Sequence, residues 1–243
     1  MRHLDIAGDA GTAHVDRIPT GWAINVEAAA DGAHRRDVLG AALAAVAGEG
    51  GGLARLWVPG GDAELAAAAR AHGFQEERSL HQLRRPLPVD ATWSLEVRPF
   101  LVGQDEEAWL EVNNRAFDWH PEQGGWSRED LEERMAEPWF DPTGFLLHEE
   151  GGRLVGFCWT KEHRHEDPVL GEIYVIAVDP AAGVKGLGRP LTLAGLDHLH
   201  RRGIDVGMLY VDGTNTAALA LYDRLGFTIH HTDVAWTTEV APR

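Results

Sequence analysis

Three glycines, Gly183, Gly186 and Gly188, fall within "YVIAVDPAAGVKGLGRPL" (174–191), after an apolar run ending at Asp179-Pro180 and before a stretch suited to a helix. Successive backbone N–H groups in such a turn, backed by a helix start, make a site for an anion, above all a phosphate. The absent side chains let oxygens approach the main chain, and Lys185 and Arg189 add positive charge. The spacing G-x-x-G-x-G lacks the G-K-[ST] ending of a P-loop and reverses the dinucleotide pattern G-x-G-x-x-G. A second candidate, Glu172, stands at the start of the strand-like run "GEIYVIAV" (171–178). On a period of two it shares a face with Tyr174, Ile176 and Val178, where a charge is costly to bury without a task or a partner.

Elements must hold these groups, and the chain carries its own guide to them. "LARLWVPGGDAELAAAARAHGF" (53–74) aligns without a gap on "VGMLYVDGTNTAALALYDRLGF" (206–227), an offset of 153 residues. Leu56/Leu209, Val58/Val211, Gly60/Gly213, Ala67/Ala220, Gly73/Gly226 and Phe74/Phe227 are identical. Each copy reads strand, glycine turn, amphipathic helix, Gly-Phe, which points to a duplicated module. In the second half, "DEEAWLEVNNRAF" (105–117) and "REDLEERMAEPWF" (128–140) read as helices. "GFLLHEEGGRLVGFCWTKEH" (144–163) reads as a hairpin turning at Gly151-Gly152, and "TIHHTDVAWTTEV" (228–240) as a closing strand. The expectation is a mixed α/β chain of two lobes. Residues 1–82 form a shortened lobe without opening strand and helices, 83–98 with Pro86 and Pro88 a linker, and 99–243 the complete domain.

A net charge of −16 argues against nucleic-acid binding and is compatible with an amine substrate. No apolar run approaches the roughly 20 residues that span a membrane. The opening "MRHLDIAGDAGTAH" has no apolar segment of a secretory signal. The single cysteine, Cys158, fits a reducing cytoplasm and reads as a buried small hydrophobe rather than a nucleophile. The pairs His163/His165, His198/His200 and His230/His231 have no metal-ligand spacing and read as solvated; no metal is expected.

The strand, loop and helix of 172–200, with Asn215, Tyr222 and "LYDRLGF", resemble the GNAT acetyltransferases. In that family a loop of the form Q/R-x-x-G-x-G/A wraps the pyrophosphate of acetyl-CoA. Gly186 and Gly188 match it; Gly183 stands where the family has Gln or Arg, so one side chain is lost and the backbone cradle kept. "VNNRAFDWHPEQGGW" (112–126), "WFDP" (139–142), "WTKEH" (159–163), "LGEIYVIAVDPAA" (170–182) and "LYVDGTNTAALALYDRLGF" (209–227) are similar to the mycothiol synthases. Those are tandem GNAT enzymes that acetylate the cysteinyl amine of the mycothiol precursor.

The resemblance implies a GNAT fold in two tandem lobes, the N-terminal one incomplete, and acetyl-CoA as acetyl donor. It implies Glu172 as general base and substrate contact, and Tyr222 as the general acid that protonates the CoA thiolate. Backbone groups of Ile176, Ala177 and Val178 would pair with the pantetheine amides. The loop Gly183, Val184, Lys185, Gly186, Leu187, Gly188 and Arg189 would take the pyrophosphate. Asn215, Thr216, Ala217, Ala218, Leu219 and Ala220 would lie along the pantetheine. Glu122, Lys161 and Tyr210, with Glu172, would hold the pseudodisaccharide. In the first copy Ala69 and Asp62 stand at the positions of Tyr222 and Asn215, and "AAADGAHRRDVLG" (28–40) puts Asp37 near the equivalent loop. Chemistry is therefore assigned to the second lobe, and a wall of the substrate cleft to the first. The implied protein is a cytoplasmic, monomeric N-acetyltransferase acting on a small amine. The alternatives are acetylation of another amine (amino sugar, polyamine or peptide N-terminus) and a non-catalytic acyl-CoA sensor.

Overall fold

Along β2 (Gly11–Ile18), Ala13 and Val15 are wholly buried while His14 and Asp16 face outward, the alternation of a strand with one face on a core. The computed structural model describes residues 3–8, 11–27, 32–119 and 123–243. β2 follows β1 (His3–Gly8) and precedes β3 (Gly21–Val26), α1 (Gly32–Gly48), β4 (Gly52–Val58), α2 (Ala63–Ala71) and β5 (Gln75–Pro86). Trp22, Ile24, Leu39, Val46, Leu56 and Ala69 form the centre of the core between these strands and the two helices.

The second copy adds three elements in front of the same plan. β6 (Arg98–Pro99), α3 (Glu106–Ala116) and α4 (Arg128–Met135) come first. Then follow β7 (Phe145–Glu150), β8 (Arg153–His163), β9 (Leu170–Val178), α5 (Gly188–Arg201), β10 (Val206–Asp212), α6 (Thr216–Arg224) and β11 (Thr228–Val240). α2 and α6 start and stop at the same steps of the 153-residue offset. α4 starts where Ser127 and Asp130 form a capping box, which satisfies donors the helix leaves open. Gly151 and Gly152, at φ +60° and +77°, make the two-residue turn between β7 and β8 that their left-handed backbone favours. A core of stacked rings gathers on α3: Trp109 meets Phe157 and Trp159 edge-on, and Phe145 stacks on Trp159 at 4.3 Å.

Packing divides the chain into two compact units that interleave along the sequence. One takes residues up to Gln82 with Val211–Thr216 and Ile229–Arg243; the other takes Leu83–Tyr210 and Ala217–Thr228. In the first unit the strands run in the order β1-β2-β3-β4-β11-β5, with β3 parallel to β4. β11, read from the sequence as closing the sheet of its own half, instead pairs antiparallel with β4 from Val234↔Val58 to Val240↔Gly52. In the second unit the order is β10-β9-β8-β7-β6. Among the described residues no helix is long and apolar enough to cross a membrane.

Candidate active site

One residue breaks the register of β8 against β9. Trp159 lies opposite Val175 and Thr160 opposite Ile173, which leaves Tyr174 without a counterpart and makes a β-bulge. The bulge overturns the simple alternation expected from the sequence. Ile176 and Val178 lie opposite Cys158 and Gly156. The Cys158 sulfur fills the room left by Gly195 of α5, and Gly156 is backed by Leu191 of α5, so Ile176 and Val178 point toward that helix. Glu172 and Tyr174 point the other way, where Tyr174 meets Trp139 at 5.0 Å.

β9 also parts from its second neighbour at this place. Its parallel ladder with β10 runs from Leu170↔Val206 to Ile173↔Leu209 and goes no further. Beyond it, Ile176, Ala177 and Val178 are half-buried and have β8 as their ladder partner on one side. Their other edge presents backbone donors and acceptors of the kind an extended ligand pairs with.

The glycine loop stands on a buried carboxylate with arginine partners at the surface. Asp179 accepts from the Ala181 amide at 2.9 Å and so caps the short 3-10 turn Pro180–Ala182. Its carboxylate receives Arg115 of α3 through Nε at 3.1 Å and Nη2 at 3.0 Å, and Arg153 at 2.9 Å. Burial alone would raise its pKa; the Arg115 and Arg153 guanidiniums and the Ala181 N–H outweigh that and hold it below the usual carboxylate range. Gly183 and Gly186 follow at φ +68° and +84°, with open space where a side chain would begin. Leu187 is buried and anchors the loop, while Lys185 and Arg189 are exposed. No side chain caps the start of α5, so its first N–H groups point out of the helix beside those two cations.

At the other end of β9, Glu172 is buried yet polar contacts surround it. It lies directly opposite Lys161 on β8, and its Oε2 accepts from His163 Nε2 at 2.7 Å. The Lys161 ammonium sits 4.5 Å over the Trp139 ring and 5.5 Å from that of Tyr174, a cation held on aromatic faces. Burial pushes the Tyr174 phenol above its ordinary pKa. A cavity of about 810 Å³ opens here, lined among others by Trp139, Phe140, Asp141, Lys161, His163 and Arg202. That is room for a ligand of disaccharide size with rings on one side and charges on the other.

The remaining expected residues are placed as follows. Tyr222, on α6, is buried with its ring edge-on to Phe227 at 5.7 Å. Burial first, and the Cys158 sulfur second, push its phenol well above the ordinary value, so the hydroxyl keeps its proton. Tyr210 is exposed one step past the last β9–β10 pair. Ala217 and Ala220 are exposed and Ala218 and Leu219 half-buried in the first turns of α6; Asn215 and Thr216, which head that helix, pack with the first unit. Glu122 lies outside the described residues. Thus Glu172 and Lys161 are brought together, and the loop and the open edge follow along the same strand. His163 is the residue the sequence reading missed by treating it as solvated. Its signal was the strand period, two steps from Lys161.

Residues 109–227 match the acetyltransferase (GNAT) family. A mycothiol acetyltransferase of Acidimicrobium ferrooxidans is 51% identical over 185 residues, which cover 73% of this chain and 60% of that protein. One of Thermomonospora curvata is 48% identical over 234 residues, 93% of this chain and 78% of that protein. Each relative thus extends beyond the stretch it shares with this chain. Among solved structures, a tandem GNAT protein from the clavulanic acid biosynthesis pathway superposes with a TM-score of 0.67 at 16% identity, over 96% of this chain and 80% of that one. It shares the fold. This chain belongs to the mycothiol acetyltransferases, within the GNAT family of N-acetyltransferases.

Proposed function

We propose that this chain moves the acetyl group of acetyl-CoA onto the cysteinyl amine of desacetylmycothiol, the cysteinyl glucosaminyl-inositol, and so makes mycothiol. The observation that carries the reading is the Glu172 corner: a buried carboxylate opposite a lysine, hydrogen-bonded to a histidine, beside a cavity of about 810 Å³. The names of relatives at 48–51% identity support the same substrate. Acetyl-CoA supplies a thioester carbonyl; the new bond is amine nitrogen to carbonyl carbon and the bond lost is carbon to sulfur.

Glu172 accepts the proton the amine must shed, on the carboxylate whose Oε2 the half-buried His163 bonds. Tyr222 gives its proton to the departing sulfur. The uncapped start of α5, with Gly186 and Gly188, holds the pyrophosphate, and the free edge of Ile176–Val178 aligns the pantetheine. Lys161 and Tyr210 hold the hydroxyl-rich acceptor, and both reactants are thereby fixed at attacking distance. The lone, buried Cys158 fits a reducing cytoplasm as the place of reaction.

Single-turnover CoA release from acetyl-CoA and desacetylmycothiol, with Glu172→Gln alongside, tests this. Fast release that needs both the amine and Glu172 is expected. Release only with other amines would move the substrate to an amino sugar, polyamine or peptide; acetyl-CoA binding without release to any amine would make the chain a sensor.

A further inference from the structure

The first unit carries a motif that acetyl transfer does not use: His-x-Asp twice, as "HLD" (3–5) on β1 and "HVD" (14–16) on β2. The antiparallel register sets His3 opposite Asp16 and Asp5 opposite His14, so two histidines and two aspartates form a ring across the strands. The residues between them turn inward: Val15 lies in the core and Leu4 packs against it. The ring therefore occupies the outer face, with His3 and Asp5 exposed and His14 and Asp16 half-exposed.

Asp5 Oδ1 is approached by His3 Nε2 at 2.8 Å and by His14 Nδ1 at 2.6 Å. One ligand atom from each of the three lies within 4.8 Å of the others. The far nitrogen of each ring also has a carboxylate. His3 Nδ1 is 2.6 Å from Asp16 Oδ1, and His14 Nε2 is 3.3 Å from Glu27 Oε1. In the ring as it stands both imidazoles donate to Asp5 Oδ1; an ion would take the place of those two protons, while Asp16 and Glu27 hold the N–H on the far side of each ring. A carboxylate behind each ligating imidazole is the arrangement that orients histidines on metals.

We propose that His3, Asp5 and His14 bind a divalent transition metal ion such as Zn²⁺, with Asp16 and Glu27 orienting the two imidazoles. Imidazole nitrogen with one carboxylate oxygen suits zinc, copper, nickel or iron far better than calcium or magnesium. Bonds of about 2.0–2.2 Å in tetrahedral geometry set ligand atoms about 3.3 Å apart, so the two contacts with Asp5 need to lengthen by about 0.5–0.7 Å. Exposed side chains allow that, and water completes the coordination. The ion would join β1, the edge strand of its sheet, to β2 through side chains as well as the ladder.

The test is calorimetric titration of the full chain, stripped with chelator, with zinc chloride alone. The expected result is one micromolar site that the double variant His3→Ala/His14→Ala loses, while acetyl transfer is unchanged. Asp16→Asn and Glu27→Gln each weaken it by roughly tenfold or more, as for carboxylates that hold ligating imidazoles from behind. Binding no tighter than about 1 mM in the native chain overturns the proposal. So does a double variant that binds zinc as the native chain does, since the ion then sits on other histidines. If circular dichroism shows the double variant unfolded, Asp5→Asn with Asp16→Asn decides by the same criterion.

Discussion

Ala23 and Glu172 occupy the same step of two ladders. Ala23 lies opposite Arg55 of β4 and Glu172 opposite Met208 of β10, and Arg55 and Met208 are separated by the 153-residue offset of the repeat. On the other side Ala23 faces Asp16, and Glu172 faces Lys161. At the Tyr222 position the first copy has Ala69, wholly buried beside Leu65 and Ala68. The register of β2 against β3 runs unbroken from Ala13↔Val26 to Ile18↔Gly21, where β8 against β9 slips at Tyr174. One copy thus has alanine at both positions, Ala23 half-buried on the outer face and Ala69 in the core. The other accepts a buried carboxylate and a bulge, both unfavourable for stability by themselves, and gains a polar corner beside an open strand edge. The two copies share their order of elements; in our proposal, what separates a reactive copy from an inert one is a handful of side chains at matched steps.

The strongest way to break this comparison is at its matched carboxylate. Glu172→Gln should lower turnover by roughly 10²- to 10⁴-fold with the fold intact, read by single-turnover CoA release. Adding Ala23→Glu to that variant should restore nothing, because the new carboxylate meets Asp16 rather than Lys161 and gains a like charge opposite. Recovery of activity would mean that the copies are interchangeable. Next in size, Tyr222→Phe should cost turnover about 10²-fold and leave acetyl-CoA affinity, measured calorimetrically, within about twofold, since the ring still packs on Phe227. Ala69→Tyr, its counterpart, should instead overpack a filled core and cost about 1–3 kcal/mol in urea denaturation without touching turnover. His163→Ala should lower kcat by about tenfold and change KM little, because Glu172 keeps its place and loses its hydrogen-bond partner. A drop in melting temperature with kcat unchanged would make His163 a packing residue.

Much of this architecture was legible because local signals and fold agreed. The offset of 153 residues marked α2 and α6 as matching helices between a glycine turn and Gly-Phe, and Gly151-Gly152 marked its hairpin by the backbone those residues favour. The glycine loop before α5 could be read as an anion site since its requirement, small residues ahead of a helix start, is written in consecutive positions. What stayed hidden depends on register. The bulge at Tyr174 has no residue signature, yet it turns Ile176 and Val178 to the opposite face from Glu172. His163 meets Glu172, nine residues away, across a ladder, so that contact is visible only once β8 is paired with β9. The partner of β11 is likewise a matter of which edge is available, and β4 supplies it.

The smallest effects come from two aspartates that clamp arginines, one in each copy. Asp62 caps α2 through the Leu65 amide at 2.9 Å and pairs with Arg35. Asp62→Asn keeps the cap, since asparagine caps as well as aspartate, and loses one partly exposed ion pair, so about 1 kcal/mol or less is expected and no change in transfer. Asp179→Asn loses charge-assisted bonds from Arg115 and Arg153 beneath the glycine loop and should cost about 2 kcal/mol at neutral pH. It should also weaken acetyl-CoA binding several-fold as the foot of the loop loosens. The pH dependence fixes the cause. The folded-state pKa of Asp179 is depressed, so its stabilisation is complete above the ordinary carboxylate range of about 4 and is lost as pH falls through the lower folded value. The stability gap between the native chain and Asp179→Asn should therefore stay level from pH 7 to about 5 and close on further acidification, in urea titrations stepped down in pH. A gap that persists undiminished in acid would assign the loss to packing around the side chain, and the clamp would then hold the loop by shape rather than by charge.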